Sequence, residues 1–176
     1  MNKRGSVWTY LYNASGRLIA ETSPLVDQTA AGVNAAGDLS NVTTVSASVV
    51  TQLTYDGVGN LITRTEAAGR PEQRTTTYDY DACGRQIKIT YPQVGVYSET
   101  AAAAAANGQS ALATRSETSA SLTVKTFYDA LGNAVANIDV AGGVSYKAYD
   151  ATGHVRYEVD AMGYVTGYAR NAFGDV

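Results

Sequence analysis

The sequence predicts an all-β protein: tandem antiparallel β-hairpins joined into one long, curved and twisted sheet. Three observations predict it. An Asp/Asn-x-x-Gly element recurs every 10 or 11 residues in the last third of the chain. The segments between these elements alternate apolar and polar residues. The chain also holds 17 glycines and 13 tyrosines against only three prolines. That composition suits many tight turns, and rings that lie on a sheet with one wet face.

The recurrence is plainest near the C-terminus. Tyr128-Asp129-Ala130-Leu131-Gly132 returns as Tyr149-Asp150-Ala151-Thr152-Gly153 and again as Arg170-Asn171-Ala172-Phe173-Gly174. Halfway between stand Asp139-Val140-Ala141-Gly142 and Asp160-Ala161-Met162-Gly163. Upstream the element is spaced less evenly, at Asn13 to Gly16, Asp56 to Gly59 and Asp81 to Gly84, with a weaker version at Glu66 to Gly69. Tyr12, Tyr55, Tyr80 and Tyr128 each stand just before the Asx residue. Self-similarity of this kind marks a repeat architecture.

Each position of the element has a physical reason. Asp or Asn at the first place bonds the backbone two residues on. Gly at the fourth supplies the left-handed conformation that follows a type I turn. The predicted turn pairs are Asn13 with Gly16, Asp56 with Gly59, Asp81 with Gly84 and Asp129 with Gly132. They continue as Asp139 with Gly142, Asp150 with Gly153, Asp160 with Gly163 and Asn171 with Gly174. About six residues remain between turns, the usual length of a strand.

Those segments read as half-buried strands. Ile87, Ile89 and Tyr91 oppose Gln86, Lys88 and Thr90; Val144, Tyr146 and Ala148 oppose Ser145, Lys147 and Tyr149; Val155, Tyr157 and Val159 oppose His154, Arg156 and Glu158. Short links between such strands leave only antiparallel neighbours.

A longer period overlies the short one. Tyr12-Asn13-x-x-Gly16-Arg17 with Pro24 matches Tyr80-Asp81-x-x-Gly84-Arg85 with Pro92, at an offset of 68. A polar, alanine-rich stretch follows each proline. Residues 25–50 and 93–122 are therefore expected to be long insert loops within a single repeat segment spanning 1–176. Within the first, Val26 to Ser40 reads as loop, and Val42 to Val50 can extend into a strand. In the second, Ala101 to Ala106 reads either as a short helix capped by Ser98 or Thr100, or as a mobile loop.

Candidate chemistry is sparse. His154 is the only histidine and occupies a slot that other repeats fill with Asn133 or Arg85. Cys83, the single cysteine, sits inside a turn where other repeats have Val58, Leu131 or Thr152. Asp79-x-Asp81-x-x-Gly84 begins like a calcium loop but has Cys83 at the fifth position, where an oxygen ligand belongs, and Thr90 at the twelfth, where a bidentate Glu belongs. No catalytic residue, cofactor site or metal site is assigned. The 13 basic and 16 acidic residues nearly balance, which excludes nucleic acid as the main partner. No apolar stretch reaches the roughly 20 residues of a membrane span. The basic N-terminus lacks the apolar run of a signal peptide.

The repeats resemble the RHS/YD-repeat family, whose pattern Tyr-Asp-x-x-Gly-Arg is met in full by Tyr80-Asp81-Ala82-Cys83-Gly84-Arg85. Copies at Tyr55, Tyr128 and Tyr149 carry Asn or His in place of Arg. The resemblance implies one arc of a hollow β-shell that encloses a toxin domain within a larger secreted or cell-surface bacterial protein. The partners it implies are the remainder of that shell and its cargo. Nothing matches the family's self-cleavage region, and the sequence stops at the turn Asn171 to Gly174, so the chain reads as a fragment, not an enzyme, whose open sheet edges favour self-association. The alternative is a binding or adhesion module in which exposed tyrosines stack on cell-surface carbohydrate.

Overall fold

A computed structural model describes residues 6–33, 36, 38–100 and 114–171. The described residues hold thirteen β-strands and no helix, and every strand pairing among them is antiparallel. The chain divides into two compact units, Met1–Thr77 and Tyr78–Val176.

In the first unit, β1 (Thr9–Tyr12), β2 (Leu18–Thr22), β5 (Val50–Tyr55), β6 (Leu61–Glu66) and the start of β7 (Arg74–Tyr80) form a ladder in that order. Between β2 and β5 the chain leaves the ladder. It makes a separate hairpin from β3 (Val26–Val33) and β4 (Leu39–Ala47), then returns so that β2 pairs directly with β5. Within residues 25–50, the stretch from Val26 to Ser40, expected as loop, contains β3, while the strand expected within Val42 to Val50 overlaps β4. Cross-strand pairs contribute to the hairpin: Thr29 and Thr44 lie 3.3 Å apart at their hydroxyls, and Ser46 bonds Asp27.

The root of this hairpin is pinned. The Ser23 N–H donates to the Val49 carbonyl at 2.9 Å, and the Ser23 hydroxyl accepts the Val49 N–H at 2.8 Å. Ser23 is also the single buried polar residue among those described.

The second unit begins with the last residues of β7 and continues through β8 (Gln86–Thr100), β9 (Thr114–Tyr128), β10 (Ala134–Ile138), β11 (Val144–Tyr149), β12 (Val155–Val159) and β13 (Val165–Gly167). The second expected insert, 93–122, is again not a loop at its ends. β8 and β9 run on as one long hairpin, paired from Lys88↔Lys125 out to Thr100↔Thr114. Ala101 to Ala106, read as helix or loop, lies outside the described residues.

Neither unit has a conventional core. Among the described residues no hydrophobic side chain is fully buried, and Tyr146 and Tyr157, expected on an inward face, are 52% and 44% exposed. The alternation sorts β11 and β12 onto a common face as expected, with Tyr146 opposite Val159 and Ala148 opposite Tyr157, whereas the register sets Lys88 and not Ile89 on that face. Backbone pairing and neighbour-to-neighbour contacts hold the strands, as in other repeat architectures.

Candidate functional site: the turn stack

The turns are the most densely bonded parts of the molecule. In seven of them the N–H of the Asx residue donates to the carbonyl four residues on at 2.9–3.0 Å. The glycine N–H donates back to the Asx carbonyl at 2.9–3.2 Å. The Asx side chain fills the loop: its Oδ1 accepts the N–H groups two and four residues later, all at 2.8–3.0 Å. Gly16, Gly59, Gly84, Gly132, Gly142, Gly153 and Gly163 all take φ between +76° and +102°. The weak version at Glu66 to Gly69 folds differently, with Ala67 itself left-handed at φ 50°. Asn171 lies at the end of the described residues, and Gly174 lies outside them.

The residue after the glycine explains why Arg, Asn and His share that slot. Asn60, Asn133 and Arg85 return their side chains to their own aspartates. Asn60 Nδ2 and Asn133 Nδ2 donate to Oδ2 of Asp56 and Asp129 at 2.9 Å, and Arg85 Nε donates to Oδ2 of Asp81 at 2.7 Å. These donors lower the carboxyl pKa values. For Asp81 the largest contribution is the Arg85 N–H, and for Asp129 it is the Asn133 amide. At Asp56 burial pushes upward, but the bonds from Asn60 outweigh it. Asp150 is drawn furthest, to about 2, first by the Thr152 hydroxyl and then by the His154 N–H.

His154 belongs to this pattern. Thr152 Oγ1 donates to Asp150 Oδ1 at 2.6 Å and lies 2.8 Å from His154 Nδ1. Because the hydroxyl donates to the carboxylate, its oxygen is left as an acceptor toward the imidazole. Cys83 is exposed on its turn. Among the described residues no cluster of three or more His, Cys, Asp or Glu is placed to hold a metal ion.

Sequence reasoning missed a second layer of contacts, which joins one turn to the next. Tyr55 donates its hydroxyl to the Leu18 carbonyl at 2.8 Å, Tyr128 to that of Gln86 at 3.2 Å, and Tyr149 to that of Ala134 at 3.0 Å. In each case the acceptor stands two residues after the glycine of the preceding turn in the stack. Two arginines reinforce the link. Arg17 lies over the Tyr55 ring at 5.8 Å and donates to the Val58 carbonyl, while Arg85 lies over Tyr128 at 4.7 Å and donates to the Asp129 carbonyl. Each of these three tyrosines thus docks on a neighbouring turn. Their separations of 15 to 42 residues hid the pattern. Only the repeated Tyr before each Asx residue signalled it.

A family model for the RHS repeat matches residues 33–71. That span takes in β4, β5 and β6, and so includes part of the first insert. No curated protein sequence matches the chain. Among solved structures, a TcdB2–TccC3–TEV crystal structure is similar over 94% of this chain at 15% identity and TM-score 0.35. A Photorhabdus luminescens Tc holotoxin pore is similar over 96% at 14% identity and the same TM-score. The chain spans only 12% and 10% of the length of those two. Likeness at that level does not equate the architectures. The chain is thus similar to the RHS repeat over residues 33–71, and the Tyr-Asx-x-x-Gly turn recurs on either side of that span.

Proposed function

We propose that the chain is a structural segment of a wall, part of a hollow shell that encloses a toxin or effector within a larger secreted or surface-exposed bacterial protein. The observation that carries this reading is a ladder of turn-locked hairpins in which no described hydrophobic side chain is fully buried. Such a sheet is organised to continue into neighbours rather than to close on its own core. The edge strands β1 and β13 offer backbone groups to adjoining strands of that wall. His154, Asp150 and Cys83 all stand in turns, where Asp150 accepts the His154 N–H, the Thr152 hydroxyl lies 2.8 Å from His154 Nδ1, and Asp81 accepts the Cys83 N–H. The role is mechanical, with the cargo and the remaining wall as partners.

The test is protease protection in the parent protein. With this segment intact, an enclosed polypeptide should resist an added protease that digests it when the segment is deleted. Equal digestion of both forms would reject enclosure.

A further inference from the structure

Cross-strand register sorts the second unit's side chains onto two unlike faces, because residues directly opposite one another share a face. One row runs Phe127, Ala136, Tyr146, Val159, Val165 across β9 to β13. Ile138 with Val144, and Ala148 with Tyr157, flank it on the same side. The reverse face carries Ile89 opposite Val124 at β8 and β9, and is mostly polar across β10 to β13. There Asn137 Nδ2 donates to Thr126 Oγ1 at 3.2 Å, and Lys147 meets Glu158 at 2.8 Å. Phe127, Tyr146 and Val165 remain 48%, 52% and 65% exposed. The first unit has no counterpart. Its corresponding rows are Gln52, Thr65, Thr75 and Thr54, Thr63, Thr77. The ladder thus does not itself require an apolar face, and this one is a local property.

The apolar face ends at a cationic corner. Lys125 stands on it directly opposite Lys88, an arrangement that disfavours the sheet when nothing neutralises it. Lys88 is held by Asp79 at 3.2 Å. Lys125 forms no ion pair with any described residue. A cleft of about 320 Å³ opens here, with Arg85, Lys88, Lys125 and Phe127 among its walls.

We propose that this face docks a partner polypeptide segment in which carboxylate side chains accompany large apolar ones. The apolar groups lie along the Phe127–Tyr146–Val165 row, and a carboxylate neutralises Lys125. Charge complementarity selects this occupant. A second copy of the chain brings the same lysines and, beside them, an Asp79 that Lys88 already engages. The surface belongs to the second unit and does not depend on what the parent protein encloses.

The probe is a labelled peptide alternating Glu with Leu and Phe, compared by fluorescence anisotropy with its Lys-for-Glu counterpart. The Glu peptide should bind about tenfold more tightly, with an advantage that shrinks as salt rises. Lys125→Glu should remove most of that advantage. Tyr146→Ser should weaken both peptides, and Thr166→Ala on the reverse face should change neither. Far-ultraviolet dichroism checks that each variant is folded, and Lys125→Gln supplies a second charge variant should Lys125→Glu not fold. Equal binding of the two peptides, or an unchanged preference in both Lys125 variants, overturns the proposal. So does a dimer that Tyr146→Ser dissociates while peptide binding is unaffected, since the face would then be occupied by a second copy.

Discussion

At Gly153 an added Cβ would meet nothing within 4 Å, yet φ is +84°. Any cost of a side chain there is therefore backbone strain alone. Gly153→Val should destabilise the chain by about 1–3 kcal/mol, whereas His154→Ala, which removes only exposed side-chain contacts, should shift a urea midpoint little. Equal midpoints would contradict the left-handed assignment. Gly143 differs, because a Cβ there would fall 2.9 Å from the Ala161 Cβ and 2.7 Å from an Asp139 carboxylate oxygen, so crowding and not φ protects it. The docked tyrosines give a second prediction. Tyr128→Phe leaves the ring under Arg85 but removes the bond to Gln86, and should cost about 0.5–1.5 kcal/mol; no loss in a urea titration would remove the hydroxyl's role. The turn carboxylates give a third. Asp150 has a folded pKa of about 2 against an ordinary 3.8. A depressed carboxyl stabilises the fold above its unfolded pKa and loses that contribution as pH falls through the folded one. Stability should therefore decline from about pH 4 toward about pH 2. Asp150→Asn should flatten that decline, since an amide oxygen serves the same turn role at Asn13. Identical acid profiles for the two proteins would count against it.

Among the elements, the turns were legible in the sequence and the two long hairpins were not. Asp-x-x-Gly encodes its own geometry within five residues, so its placement needs no tertiary knowledge. Between β3 and β4 the same element does stand in the sequence, as Asn34-Ala35-Ala36-Gly37, but Ala30, Ala31 and Gly32 beside it carry little strand preference, and pairs such as Thr29 with Thr44 exist only once the strands meet. Face assignment along β11 and β12 was readable from alternation. The absence of a covering layer was not, because periodicity reports which residues share a side and not what lies opposite. The β3–β4 hairpin makes no ladder bonds to its neighbours, and β2 already pairs with β5 beneath it. Replacing residues 23–49 by a two-residue Asn-Gly turn should therefore leave the Ala20↔Gln52 region protected in amide hydrogen exchange. Loss of protection at Ala20 and Glu21 would show that the hairpin and its Ser23 pin are required.

For the whole molecule, stability should follow the arithmetic of a chain of linked units, each supported by its neighbours. A lesion in the second unit, such as Gly153→Val, should lower exchange protection in β11 and β12 and leave that of Leu53 to Thr65 unchanged. A uniform fall across both would indicate a single cooperative block. Far-ultraviolet dichroism should report strand and turn; a helix-dominated spectrum is incompatible with the strands of either unit. The tyrosine docking has one more consequence. Its acceptor is a main-chain carbonyl, which every amino acid possesses, and the same bond forms at separations of 15, 37 and 42 residues. The joint between successive turns therefore places no demand on the identity of the accepting residue or on the length of chain spliced between them. Such a joint behaves like punctuation in a text. Clauses can be lengthened or rewritten between the marks, and mutation can explore the intervening sequence freely while the reading frame of the sheet is kept.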